Sequence, residues 1–344
     1  MEKEYKYMVA VQCMTYNQSK YILDALNGFV MQQTNFPYVV MVVDDASTDG
    51  EQEVIRKFVS EQFDINDTSV AYEKETDYAH ITYAQHKTNK NCYIAVLYLK
   101  ENHYSQRKTQ MPYLAEWRDY VKYEALCEGD DYWIHPQKLQ MQVDFLEENE
   151  EYVMCHTDFN LSNGKYRNHN VYTTESGNYF PGSIIYGNLQ VGTLTVIYRK
   201  DVYDELPKLW IGKGWPMGDT PLWIEFSLVG KIKYLTDVTA NYRILPNSAS
   251  HGTLDKEIAF TNAGIECRKF YANQYGLNIH NNGYSKGYFV KMMKYAYKHR
   301  NKNIAQYYKK NAKDKELTSL KMYFFYYITF SNFLGYFAKK ILGY

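Results

Sequence analysis

Three carboxylates crowd one short stretch of the chain: Glu128, Asp130 and Asp131 surround Gly129 directly after the apolar run Ala125-Leu126-Cys127. Groups packed so closely repel one another unless a cation or a set of hydrogen-bond donors holds them. Hard oxygen ligands on a strand-end loop suit Mg²⁺ or Mn²⁺ better than zinc. The plainer alternative is a solvated acidic turn. Behind the loop, Pro136 opens a helix whose apolar residues Leu139, Val143 and Leu146 recur at helical spacing and anchor it to a core.

The elements that must position this loop are legible upstream. Met8 to Met14 is an apolar strand ended by the turn residues Thr15-Tyr16-Asn17, and Ser19 stands where a helix N-cap belongs, before Ile22, Leu26, Phe29 and Val30 on one face. Tyr38 to Val43 is a continuous apolar run, the mark of a strand covered on both sides, and it ends in Asp44-Asp45. Thr48 and Glu51 have capping-box spacing before a second helix. Strand, helix, strand, helix in this order predicts a doubly wound, mostly parallel α/β sheet, with ligands at the carboxyl ends of its strands. Thr15-Tyr16-Asn17, Asp44-Asp45 and Glu128 to Asp131 are then expected to converge on one crevice.

Further on, His80 to Ala84 and Tyr93 to Leu99 read as strands, and Asn102 to Met111 as a polar, basic loop beside the crevice. Tyr152 to Asp158 and Gly192 to Tyr198 are further strands. The glycine-rich Gly212 to Asp219 delivers Asp219 to the start of a helix that carries Leu222, Trp223 and Phe226. Lys231 to Leu235 and Thr239 to Ile244 complete the sheet, a polar loop carries His251, and the chain reads as helical from Asp255. The expected division is a catalytic domain over 1–254 and a helical region over 255–344.

Net charge is zero overall, yet Lys286 to Tyr344 carries 13 Lys+Arg against 2 Asp+Glu, so the body is acidic and the tail basic. That split points to an anionic surface as the tail's partner. Met322 to Ala338 is uncharged but holds Ser331, Asn332 and four tyrosines, which makes it a poor membrane span. It suits either the headgroup layer of an anionic membrane or a packed helix. The five cysteines, Cys13, Cys92, Cys127, Cys155 and Cys267, are odd in number and scattered, against both a disulfide framework and structural zinc. The charged start, Met1 to Lys6, is a poor signal peptide, and a cytoplasmic protein, peripheral on the inner face of a membrane, is expected. No nucleic-acid partner is expected.

Taken in order, strand-Thr15-Tyr16-Asn17, Val42-Val43-Asp44-Asp45-Ala46-Ser47-Thr48-Asp49-Gly50, Ala125 to Trp133 and Gly218-Asp219-x-x-Leu222-Trp223 resemble the family 2 inverting glycosyltransferases of the GT-A fold. The resemblance covers roughly residues 8 to 250. It implies a nucleotide-sugar donor, a UDP-sugar first, a glycan or lipid-linked acceptor in surface polysaccharide assembly, and Mn²⁺ or Mg²⁺ on Asp130 with Glu128 and Asp131 in support. It implies Asp219 as general base, Asp45 accepting from the imide N–H of a pyrimidine, Tyr16 over the base, Asp44 near the ribose or in the turn, and Thr15 and Asn17 at the nucleotide. Asp131, Trp133 and Trp215 are carried over as sugar or acceptor contacts. The sequence departs from the family pattern in having Glu128 for the first loop aspartate, and in a longer segment from Tyr83 to Arg118, where Arg107, Lys108 or Arg118 is left as the diphosphate contact.

Rival readings remain. A sugar nucleotidyltransferase requires a glycine-rich basic loop after the first strand, where this chain has Met14-Thr-Tyr-Asn-Gln. A glycoside hydrolase needs a protonated carboxyl and usually no metal. A carbohydrate-binding or scaffold protein on the same fold would leave the acidic cluster inert.

Overall fold

The structure is a computed structural model and describes residues 5–162, 166–170, 178–179, 182–186, 191–245, 253–279, 284, 286–312 and 315–331. His251 and residues 332–344 of the tail lie outside these residues. The chain divides into two compact units. The first comprises 1–181, 190–207 and 226–244, and the second 182–189, 208–225 and 245–344. The division is thus not the single cut expected after residue 254, because the second unit also takes two segments from within the body.

In the first unit the chain runs β1 (Tyr7–Thr15), α1 (Ile22–Val30), β2 (Tyr38–Asp44), α2 (Glu51–Gln62), β3 (Tyr72–Glu75), β4 (Ala79–Gln85), β5 (Cys92–Leu99), α3 (Ala115–Arg118), β6 (Val121–Leu126), β7 (Tyr132–Trp133), α4 (Lys138–Glu148), β8 (Tyr152–Ser162), β9 (Tyr166–Asn170), β10 (Asn178–Tyr179), β11 (Ile197–Arg199) and α5 (Lys200–Glu205). The residues of α6 (Asp219–Val229) fall in both units, and β12 (Lys231–Arg243) returns to the first. The sheet order is β10-β12-β8-β11-β6-β1-β2-β5-β4-β3, with parallel pairing from β6 through β1 and β2 to β5. This is the α/β sheet that the periodicity predicted, with a parallel centre, but it is mixed rather than mostly parallel, because β3, β4, β7, β9, β10 and β11 pair antiparallel to their neighbours.

Alternation explains why the central strands are apolar throughout. Val40 and Val42 of β2 and Ile94 and Val96 of β5 pack into a core layer with α1, α2 and α4. Val39, Met41 and Val43 face the other layer, with Leu97, Leu99, Leu114 and Trp117. A strand covered on both faces carries no polar side. Two readings are corrected. Gly192 to Tyr198 is not one strand: Thr193–Thr195 is a 3₁₀ turn ahead of β11. Lys231 to Ile244 is not two strands but one, carried through β-bulges against β8.

A lysine lies deep in the core of the first unit. Lys138 of α4 is fully buried, its Nζ donating to Gln142 Oε1 at 2.7 Å and lying 4.4 Å from the centre of the Trp133 ring. Burial drives its ammonium down to about 7, against weaker opposition from the Cys155 and Cys127 thiols. In the unfolded chain the amine keeps its ordinary affinity for protons, so above pH 7 the unfolded state binds more protons and stability rises with pH. Burial holds the thiols of Cys13, Cys92, Cys127, Cys155 and Cys267 above their ordinary range, and together they reverse the trend once unfolded thiols begin to ionise, above about pH 8. The unfolding free energy is expected to rise by up to about 1 kcal/mol between pH 7 and 8 and to fall above that. Lys138→Met should flatten that slope in urea titrations. A wild-type profile already flat over this range would mean that the amine stays charged in the fold.

The second unit holds α7 (Leu254–Gln274), α8 (Lys286–Lys298), α9 (Lys302–Asn311) and α10 (Leu320–Phe330), confirming the helical reading. Thr253, Asn301 and Ser319 cap α7, α9 and α10 by accepting from Lys256 N, Ile304 N and Met322 N. Ile265, Phe289, Met292, Ala305, Met322 and Phe325 make its core. No helix among the described residues is long and apolar enough to cross a membrane.

Candidate active site

The parallel register brings three strand ends level. Thr15 pairs with Asp44, and Gln12 with Leu126. Past these ends the chain is stitched together by its own backbone: Asp45 N donates to Thr15 O at 3.0 Å, Cys127 N to Gln12 O and Gly129 N to Met14 O, both at 3.1 Å. Thr15, Tyr16, Asn17, Asp44, Asp45, Glu128, Asp130 and Asp131 therefore gather at one edge of the first unit, as expected. Asp219 and Trp215 belong to the second unit.

The hub of this edge is Glu51, a residue read from sequence only as half of a capping box. It is fully buried, and its carboxylate contacts Thr15 Oγ1 while accepting from Gln18 N at 2.8 Å and Ser47 Oγ at 2.9 Å. Burial pushes its carboxyl up, against these donors. The expected box does not form, because the residue capping α2 is Gly50, at φ 88, with no side-chain cap. Ser19 likewise caps nothing. Its amide donates to Asp49 Oδ2, and Tyr21 stands at the N-cap of α1. Asn17, at φ 54, ties the first two loops: Asn17 N donates to Ser47 Oγ at 2.9 Å, and its Oδ1 accepts from Thr48 N at 2.8 Å. Asparagine is among the few residues that tolerate the left-handed region. The Tyr16 ring is left 45 % exposed. Asp44 is buried, with Oδ1 accepting from Ser47 N and Gln52 Nε2 and with Oδ2 lacking a hydrogen-bond partner.

The loop after β6 presses on Thr15. A Cβ at position 129 would lie 2.4 Å from Thr15 Oγ1 and 2.6 Å from Gln18 Oε1, so only glycine permits the approach. Gly129→Ala is expected to cost about 1–3 kcal/mol, the usual range for overpacking, measured by chemical unfolding. An unchanged midpoint would mean that the two loops do not meet.

The three acids differ in exposure and surroundings. Glu128 is exposed. Asp130 is half-buried, and its carboxyl is pushed up chiefly by burial, with Arg243 and Gln18 pulling it down. Asp131 is buried, and its Oδ1 accepts from Arg243 N at 2.7 Å. Burial, then Asp130 and Glu128, push the Asp131 carboxyl well up. Arg243, at the end of β12, also donates to Asp130 O at 2.6 Å and pairs with Asp24 of α1. Sequence reasoning did not find it, because nothing near Arg243 in the chain links it to a loop more than a hundred residues earlier.

Two expected sugar contacts are corrected. Trp133 is 1 % exposed, lies edge-on to Phe29 at 4.9 Å and donates from Nε1 to Leu194 O at 2.7 Å, so it is a core residue that no sugar can reach. Asp131 has no free surface either, and it serves to tie its loop to β12. Asp45 is buried as well, its carboxylate accepting from the loop after β5. Arg118 pairs with buried Glu124 and is likewise withdrawn from the diphosphate role, while Arg107 and Lys108 are exposed.

In the second unit, Asp219 opens α6, with its Oδ1 accepting from Thr220 N at 2.6 Å. Trp215 is half-buried, 5.7 Å from Phe270 and 6.4 Å from Tyr271. Glu225 holds the segment ahead of the glycine-rich loop by accepting from Lys208 N, Leu209 N and Tyr271 Oη at 2.6–2.8 Å.

Among the described residues no group of three or more His, Cys, Asp or Glu side chains is arranged to hold a metal ion. Mg²⁺ and Mn²⁺ are commonly held by one or two carboxylates together with substrate phosphates. A desolvated Asp130 carboxylate beside an exposed Glu128 fits that smaller set, whereas Asp131 does not.

Residues 13–97 match the model of glycosyl transferase family 2. The uncharacterized protein Rv1520 of Mycobacterium tuberculosis is 30% identical over 152 residues, which is 43% of this chain and 34% of that protein. The chain thus spans about a third of the length of the curated relatives it matches. Among solved structures, S. aureus TarS 1-349 in complex with UDP-GlcNAc aligns over 94% of this chain and 90% of its own at 13% identity, with a TM-score of 0.45. The mannosyltransferase PcManGT from Pyrobaculum calidifontis, in complex with GDP-Man and Mn2+, aligns over 81% and 67% at 13% identity, with a TM-score of 0.49. The matched stretch, from the end of β1 into β5, contains the motifs from Thr15 to Asn17 and from Asp44 to Gly50 on which the resemblance to family 2 rests.

Proposed function

We propose that the protein transfers a sugar, with inversion, from a nucleotide-diphosphate sugar, a UDP-sugar first, to a hydroxyl of a glycan or lipid-linked acceptor in surface polysaccharide assembly. The observation that carries this reading is the joining of the family-matched strand ends to the acidic loop. Glu51 holds Thr15 and Ser47, Ser47 and Thr48 hold Asn17, and Gly129 brings the acidic loop against Thr15, with Tyr16 half-exposed beside them. Tyr16 offers an aromatic face for a base. Asp130 and Glu128 are the residues that would hold Mn²⁺ or Mg²⁺, which when bound supplies positive charge to the departing diphosphate. Asp219 takes the proton of the acceptor hydroxyl as its oxygen attacks the anomeric carbon from the face opposite the leaving group. One displacement inverts that carbon. The deciding experiment is donor hydrolysis across UDP-, GDP- and dTDP-sugars with Mn²⁺ or Mg²⁺, with and without EDTA. Turnover of none of them, or turnover indifferent to EDTA, would refute the metal-assisted reading.

A peripheral place on an anionic membrane is part of the same proposal, and α10 supports it. Its inner face, Met322, Phe325 and Ile328, is buried, while Leu320, Phe324 and Tyr327 point outward, Leu320 being 90 % exposed. Lys309 Nζ lies 4.2 Å from the Tyr326 ring centre and 5.8 Å from that of Tyr327, and Lys302 lies 5.7 Å from Phe330. Apolar and aromatic groups fringed by lysine fit the headgroup layer of anionic lipid. The protein is expected to sediment with phosphatidylglycerol vesicles and not with phosphatidylcholine vesicles. Leu320→Glu with Phe324→Glu should leave it in the supernatant, and sedimentation of that double variant would overturn the assignment.

A further inference from the structure

Asp45 directly follows β2, a strand buried along its whole length, yet its carboxylate is not open to a ligand. Oδ1 accepts from His103 N at 2.8 Å and from Gln110 Nε2 at 2.7 Å, and Oδ2 accepts from Tyr104 N at 3.0 Å. Asn102 Nδ2 adds a bond to Asp45 O at 3.2 Å. Every one of these donors comes from the loop between β5 and α3. Beneath them the His103 side chain is buried, with its ring 5.4 Å from that of Tyr113.

An ionised carboxylate has about four acceptor positions. Three are filled here, on a residue that is 4 % exposed. The donors are not equivalent. His103 N and Tyr104 N belong to a turn that closes on itself, Ser105 N donating to Asn102 Oδ1 at 2.7 Å, and they cannot leave without unfolding it. Gln110 sits at the far end of the loop and donates through a side chain, so a rotation removes it. Between the two anchors lie exposed residues, among them Arg107 and Lys108, whose amides donate to Tyr104 O and His103 O at 3.0 Å, so that beyond Lys108 the stretch of chain running to Gln110 depends on the Gln110 contact. A base with an imide N–H offers what the Gln110 amide already supplies, one N–H aimed at Oδ1.

We propose that Asp45 and Gln110 form a latch. Gln110 holds the place of the base's N–H donor, so the nucleotide and Gln110 compete for one carboxylate, and donor binding frees the chain from Lys108 to Gln110. The proposal rests on the sugar-nucleotide reading and makes Gln110 a positioning residue. Competition at one acceptor predicts that removing the internal competitor strengthens the external one.

The test uses the full chain, UDP as probe and limited trypsinolysis after Arg107 and Lys108. UDP is expected to accelerate cleavage at these bonds several-fold, and pyrophosphate, which has no base, to leave it unchanged. Gln110→Ala should be cleaved faster without nucleotide, and calorimetry should show it binding UDP about two- to tenfold more tightly, the worth of one hydrogen bond. Protection of the loop by UDP, or weaker UDP binding by Gln110→Ala, overturns the latch while leaving the sugar-nucleotide reading intact. Absence of UDP binding in both proteins overturns the two together.

Discussion

Asp130→Ala is expected to lower donor turnover by about a hundred- to a thousandfold while the protein stays folded. The size follows from the charge that the residue is asked to manage. Loss of a preorganised group that neutralises a developing oxyanion typically costs about 3–4 kcal/mol of barrier, and a diphosphate leaves with more negative charge than an ester oxygen. Folding should not suffer, because burial already disfavours the charged carboxylate of Asp130, and because the tie from Arg243 runs to its main-chain oxygen. Arg243 keeps its pairing with Asp24 when the Asp130 carboxylate is removed, so no buried charge is left without a partner. Two measurements check this: Mn²⁺ binding in the presence of UDP, followed by electron paramagnetic resonance, and the thermal midpoint. A variant that keeps Mn²⁺ binding and turnover would show the acidic loop to be inert and restore the scaffold reading. A variant that unfolds would show Asp130 to be a structural residue like its neighbour Asp131.

The contrast between those neighbours marks the limit of the sequence. Period and composition located the strands of the parallel core, because residues such as Val39 to Val43 have no polar side to hide. The same logic aligned Thr15, Asp44 and the acidic loop at one edge. It could not rank Asp130 against Asp131, since both are aspartates on one turn and their difference comes from β12, more than a hundred residues later, which delivers Arg243 N to Asp131 alone. Trp133 failed for a similar reason. Its place beside the acids suggested a sugar platform, but Phe29 and Leu194 enclose it from distant parts of the chain. Glu51 looked like a cap because capping is a local pattern, and its turn toward Thr15 depends on Gly50 adopting a left-handed conformation. Local signals survived wherever the periodicity was long. They misled where one side chain had two possible partners and the nearer one was not chosen.

Asp219→Asn is expected to cut acceptor-dependent transfer by about a hundred- to ten-thousandfold, the range for loss of a positioned general base, with donor KM unchanged. The choice of asparagine separates two roles that one aspartate can play. Asp219 stands first in α6 ahead of Thr220-Pro221, and its Oδ1 accepts from Thr220 N, so part of its work is to fasten a helix start. Asparagine keeps an acceptor oxygen of the same reach and is as good at helix starts as aspartate. Stability should therefore change by less than about 1 kcal/mol, while the capacity to take a proton is lost. Asp219→Ala removes both functions and should lose stability as well as activity. If the residue is only a fastener, the order reverses: the asparagine variant transfers sugar normally and only the alanine variant is impaired. A base role also predicts that slow donor hydrolysis survives in Asp219→Asn, because departure of the diphosphate does not depend on deprotonating an acceptor. Loss of hydrolysis and transfer in equal proportion would place Asp219 in donor binding instead.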